Sequence, residues 1–273
     1  MITVFALDGI GGHGGPNAMG QNMIRPLVES GGYDWQDVPY LASIGPANPE
    51  NNVFNDVWLR KSDRDGARQA AKAIHATDNL AAIVGYSGGA SATSLLMEDM
   101  QRGEPYTRGL EVVWAVTIAN PRRHRGPDAP GYGIAGEHTD FPRNITHFEV
   151  ANPDDAIPCC PQYSPLRTLT DAGQDGPNPQ AWLRMAIEQS WQVVIPQVPD
   201  EFSDPRFWLR PDALEKARLF AWLKAEAIAT RDGWHSAGRM LVGYLDGTAH
   251  GSDYVTRRLF DEPVRQILAR EWE

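Results

Sequence analysis

The apolar positions of this chain fall into two alternating patterns. Ile2–Leu7 (ITVFAL) is a nearly unbroken apolar run of strand length, the pattern of a strand buried on both faces of a parallel sheet. Leu80–Val84, Leu110–Ile118 and Ile145–Val150 read as further strands, and Asp34–Leu41 as the second strand in chain order. Between them lie segments of helical spacing. Met23, Ile24 and Leu27 mark a helix over Met19–Glu29 that ends at Gly31-Gly32, and Ala67–Ala76 predicts a second. Leu95, Leu96 and Met100 mark a third helix behind Gly89, whereas Ser43–Asn55 is polar and proline-punctuated, hence loop. Strands alternating with helices predict an α/β fold with a mostly parallel central sheet flanked by helices.

From Pro161 to about Trp234 the strand signal nearly vanishes, apart from Val193–Ile195. Pro179–Trp191 and Asp212–Arg231 carry helical spacing, with Pro211 before the second helix and Gly233 after it as start and stop signals. Five of the nine tryptophans lie here: Trp182, Trp191, Trp208, Trp222 and Trp234. Such an insertion reads either as a lid over an acyl site or as amphipathic helices that use aromatic residues to dock. Trp234–Leu245 predicts one more helix, residues 246–254 a loop, and Asp261–Glu273 a closing amphipathic helix. The expected organisation is therefore a core over residues 1–160, a helical insertion over 161–233 and a return to the core over 234–273.

Charge narrows the partners. The net charge of −10 over 273 residues disfavours nucleic acid or an anionic membrane as the main partner. The two cysteines, Cys159 and Cys160, are adjacent, a poor geometry for a disulfide, and are expected as free thiols of a reducing compartment. Met1-Ile2 runs directly into the first strand with no basic region of a secretion signal, and no window reaches transmembrane length. Synthesis in the cytoplasm without a signal peptide is expected. An extracellular substrate would then require release by some other agent.

The candidate chemistry gathers where predicted strands end. Gly85-Tyr86-Ser87-Gly88-Gly89 places G-x-S-x-G between a buried strand and a helix, the setting of a nucleophile turn, with an ordinary strand-to-helix turn as the alternative. The Gly88 N–H, at the helix start, would face an oxyanion formed by attack of Ser87 on a carbonyl. After the first strand, Gly9 to Gly14 spells G-x-G-x-x-G, with Asp34 and Asp37 at a spacing that suits a dinucleotide turn. The glycines run on into Gly15-Pro16, so a loop donating a second oxyanion N–H from Ile10 or Gly11 fits better, and a permissive turn without a ligand stays open. Asn120-Pro121-Arg122-Arg123-His124-Arg125-Gly126 follows another strand, where ligands of α/β sheets bind. Tyr86, Asn120 and Arg122 are the candidates for substrate contact, a solvated loop being the alternative. Pro153-Asp154-Asp155 offers an acid after a later strand, and equally a turn cap. His250 lies late, in a small-residue loop, which satisfies the chain order serine, acid, histidine; His235 is its rival and His13 precedes the serine. His75, near a helix end, reads as a helix-end cation. This chemistry needs no metal, nucleotide or other cofactor.

Gly85-Tyr86-Ser87-x-Gly89, Asn120-Pro121 with its following arginines and Gly126, Pro153-Asp154-Asp155 and Gly247-Thr248-Ala249-His250 together resemble the lysin B esterases of phages infecting mycolate-bearing actinobacteria, relatives of the cutinase-like serine esterases. The resemblance spans most of the chain, including the helical insertion. It implies an α/β-hydrolase fold and hydrolysis of the ester joining mycolic acids to arabinogalactan, with Ser87 as nucleophile, Asp155 as orienting acid and His250 as base. Two positions depart from the family pattern: Gly88 stands where glutamine is common, and Asp154 where glycine is common. The chain also starts at its first strand, which leaves no expected place for a separate wall-binding module. The alternatives are a cutinase-like lipase or thioesterase acting on a soluble acyl ester, and a non-catalytic nucleotide- or envelope-binding protein.

Overall fold

A computed structural model describes residues 1–10, 19–44, 58–127, 129–162, 167 and 248–272. Its centre is a five-stranded parallel sheet of order β2-β1-β3-β4-β5, with β1 at Ile2–Leu7, β2 at Tyr33–Asp37, β3 at Leu80–Tyr86, β4 at Val112–Ile118 and β5 at Thr146–Val150. The side-chain period of two divides each strand between two cores. On one face, Val4, Ala6, Val84, Trp114 and Val116 pack under α1 (Met19–Glu29) with Met23, Ile24 and Leu27. The same face receives Tyr254, Phe260 and Ile267 from the C-terminal helices α4 (Asp253–Thr256) and α5 (Asp261–Leu268). On the other face, Phe5, Leu7, Ile83 and Ala115 pack under α2 (Leu59–His75) and α3 (Gly88–Arg102). Cover on both sides is why the inner strands are continuously apolar. The sequence expectation of an α/β fold with a parallel sheet between helices is met.

Several boundaries differ from the expected ones. β2 is shorter than Asp34–Leu41 because it lies at the sheet edge, where Val38 makes one last bond to the Ala6 carbonyl, 2.8 Å, before the chain turns away. α2 starts eight residues before Ala67, at Leu59. Its buried face there is Leu59, Ser62, Asp63 and Gly66, so apart from Leu59 the helical period is carried by polar and small residues. α5 stops at Leu268, short of Glu273. The predicted loop over 246–254 is, from Thr248, one wide helical turn running into α4. The helical insertion apart from residues 161, 162 and 167, the helix Trp234–Leu245, His235, His13, Gly11 and most of the Ser43–Asn55 loop lie outside the described residues.

The chain order puts β1 beside β3, with β2 leaving on one side and β4 on the other. Where successive connections diverge in this way, the carboxyl ends of the two central strands open a crevice. Asp8–Ile10 leave β1 at that point, and Ser87 leaves β3 there.

Candidate active site

The turn between β3 and α3 is built for close approach. Ser87 holds φ 53° and ψ −117°, a region that non-glycine residues rarely occupy, and its N–H donates to the Ile118 carbonyl at 2.9 Å. A Cβ at Gly89 would meet the Leu7 carbonyl oxygen at 2.1 Å, and one at Gly85 would meet the Gly89 carbonyl oxygen at 2.5 Å. Only glycine lets α3 begin this close to β1 and β3. The serine is thereby lifted out of the sheet at the head of a helix.

Ser87, His250 and Asp155 come together across the carboxyl edge. His250 Nε2 lies 2.9 Å from Ser87 Oγ, and His250 Nδ1 donates to Asp155 Oδ2 at 2.8 Å. A neutral imidazole that donates at Nδ1 has its lone pair on Nε2, so the ring is set to accept the serine proton. Asp155 is fully buried; its second oxygen, Oδ1, accepts the Ile157 N–H at 2.9 Å, while Oδ2 also accepts the Tyr254 hydroxyl at 2.9 Å. Asp154 is exposed and pairs with Arg257, 2.9 Å, so the turn after β5 gives its two carboxylates separate environments.

The histidine turn is tied down from three sides. Tyr86 donates its hydroxyl to the His250 carbonyl and lays its ring against the imidazole, centroids 5.3 Å apart. Asn152, buried behind β5, donates Nδ2 to the Ala249 carbonyl at 2.8 Å, and Arg257 donates to Asn152 Oδ1 at 2.6 Å. Tyr86, expected as a substrate contact, also supports the imidazole.

Gly88 opens α3, so its N–H has no acceptor within the helix. Ile10 stands beside it: a Cβ at Gly88 would lie 2.6 Å from the Ile10 side chain. The space that a glutamine would need at this position is filled by Ile10. Tyr40 fixes the start of the same loop, donating its hydroxyl to the Asp8 carbonyl at 2.7 Å. Burial raises the Tyr40 phenol well above its usual range, so it remains a donor.

Asn120 and Arg122 are not placed as substrate contacts, which corrects that expectation. Asn120 is fully buried; its Nδ2 donates to Ser94 Oγ at 2.9 Å and Glu149 Oε1 at 3.0 Å, and its Oδ1 accepts the Arg122 N–H. Arg122 forms a two-pronged pair with Glu98, both contacts 2.9 Å. Arg123 is buried too, clamping the carbonyls of Pro158, Ala129, Pro130 and Gly131. A run of arginines after a strand looks like a ligand site in sequence because internal pairing leaves no trace in residue order. The exposed side chains of that run, His124 and Arg125, both lie against Glu137.

Three residues around the site carried no sequence signal. Asn152, Tyr254 and Tyr40 belong to no motif, and their roles rest on contacts across 97, 99 and 32 residues of chain. Among the described residues, no group of three or more potential metal ligands converges, and no helix is long and apolar enough to cross a membrane. Both cysteines are free and buried.

No protein-family model and no curated protein matches the chain. Solved structures similar to it include the catalytic core domain of an acetyl xylan esterase from Trichoderma reesei, at 18% identity over 69% of this chain and 97% of that one, TM-score 0.42. A cutinase-like protein from Cryptococcus sp. matches at 15% identity over 66% of this chain and 84% of that one, TM-score 0.37. Lysin B from Mycobacteriophage D29 matches at 18% identity over 55% of this chain and 62% of that one, TM-score 0.38.

Proposed function

We propose that this chain is a serine esterase that hydrolyses the ester between mycolic acids and arabinogalactan in the envelope of actinobacterial hosts. The observation that carries the esterase reading is His250 standing between Ser87 Oγ and a fully buried Asp155, at 2.9 and 2.8 Å. In this reading His250 Nε2 takes the Ser87 proton as Oγ attacks the ester carbonyl. Asp155 keeps the proton on Nδ1 and stabilises the imidazolium. The Gly88 N–H, with a second donor from Ile10 or Gly11, holds the oxyanion, each contributing on the order of 10²- to 10³-fold in rate. Collapse expels the alcohol, which takes the proton from His250, and water repeats the cycle on the acyl-enzyme.

The choice of substrate rests on the motif resemblance around Ser87, Asn120, Asp155 and His250. Synthesis in the host cytoplasm and action on the envelope after release belong to the same proposal.

The test is mass spectrometry after incubation with a fluorophosphonate, followed by assay on purified mycolated cell wall. A single adduct on Ser87 and release of mycolic acid are expected, and Ser87→Ala should lose turnover by on the order of 10⁴-fold or more with the fold intact. Labelling without release from cell wall would reassign the substrate to a soluble acyl ester. An unlabelled, folded protein that binds NAD would move the function to the glycine-rich loop after β1.

A further inference from the structure

We propose that Tyr254 is a positioning residue of the proposed catalytic set, acting through Asp155 to set how strongly His250 holds a proton. The inference rests on the serine-esterase reading above and concerns a residue that the reaction scheme does not use. Tyr254 is fully buried in α4, four residues after the histidine. Its hydroxyl donates to Asp155 Oδ2 at 2.9 Å, the same oxygen that accepts His250 Nδ1–H, and it accepts the Asn152 N–H at 3.1 Å. One phenol therefore joins the acid turn to the histidine turn.

A carboxylate oxygen shared between two donors is less basic than one that faces the imidazole alone. The phenol, as a second donor on the oxygen that faces the imidazole, moderates the pull of Asp155 on His250. A buried phenol beside a carboxylate stays protonated well above its usual range, so Tyr254 remains a donor at any working pH. Among the described residues, the neighbouring titratable groups are engaged elsewhere. Arg257 is engaged with Asn152, Asp154 and Asp253. Burial pushes the Cys159 thiol up to about 12, and it donates to the Asn152 carbonyl.

The experiment is the pH profile of kcat/KM for ester hydrolysis in the wild type, in Tyr254→Phe, and in protein carrying 3-fluorotyrosine at position 254. Phenylalanine removes the donor and keeps the ring. The acidic limb should move up by roughly half a pH unit or more, with kcat lowered more than KM is changed. Fluorotyrosine is a stronger donor of the same shape, and should move the limb down. Opposite shifts are a result that loss of packing cannot produce. An acidic limb unchanged in both variants, alongside a wild type that labels at Ser87, overturns this inference alone. If Tyr254→Phe fails to fold, the fluorotyrosine profile decides by itself. A folded wild type that a fluorophosphonate does not label overturns the esterase reading, and this inference with it.

Discussion

Asp154 and Asp155 are adjacent in the chain, yet the first is 65% exposed in its pair with Arg257 and the second is 0% exposed and takes three donors. An exposed pair is worth little, because water screens it and both side chains lose freedom to make it. A buried carboxylate that fixes an imidazole tautomer is worth far more. Asp155→Asn should therefore lower kcat by about 10⁴-fold, while Asp154→Asn should leave it within about twofold. Steady-state hydrolysis of a soluble ester by the two variants checks this, and the reverse ranking would move the acid to Asp154. At this scale, strand ends and chain order pointed to Ser87, to the Asp154-Asp155 pair and to His250, with His235 as its rival. They did not separate the two carboxylates, because burial belongs to no single position. Asn120 and Arg122 were misread for the same reason: their partners Ser94, Glu149 and Glu98 lie on other elements.

The elements were legible in proportion to how apolar their buried faces are. β1, β3 and β4 stand at the centre of the sheet and announce themselves as continuous hydrophobic runs. The first half of α2 does not, since Ser62 is buried to accept the Ser43 N–H, Asp63 to accept Ser91 Oγ, and Gly66 to let Ala92 approach. Hydrophobic period detects burial only when burial is apolar. The turn at Ser87 was legible because its glycines are forced by contact. Gly89→Ala would press a methyl group into the Leu7 carbonyl, and should destabilise the fold by about 3 kcal/mol or more, measured by urea unfolding. Gly103→Ala is a useful contrast. No atom lies within 4 Å of its Cβ, so only its left-handed backbone, φ 72°, resists the change.

Across the whole molecule, two buried titratable groups, Asp63 on α2 and His147 on β5, oppose each other in their pH dependence. Burial raises Asp63 to about 7, against the Ser91 hydrogen bond that favours its charge. Burial beside Phe141 lowers His147 to about 4, with Glu149 opposing the shift. A raised carboxyl contributes stability that is present below its unfolded value and is lost as pH rises through about 7. A lowered imidazole contributes stability that is present above its ordinary value of 6.5 and is lost as pH falls through about 4. Between pH 4 and 6.5 the two slopes have opposite sign, each about 1.4 kcal/mol per pH unit, and they cancel. Asp63→Asn should leave stability rising with pH across that window relative to wild type, and His147→Gln should leave it falling. Urea midpoints at half-unit pH steps read both slopes, and parallel curves for all three proteins would show that neither group titrates as its burial requires.

Ser87 and Asp155 precede His250 by 163 and 95 residues, and the histidine turn is held by α4 and the residues behind it. A ribosome thus completes the serine and the acid long before the base exists. A nascent chain that has not yet reached His250 carries Ser87 without its partner imidazole, so the proposed hydrolase would be made in a silent form until the histidine turn is built.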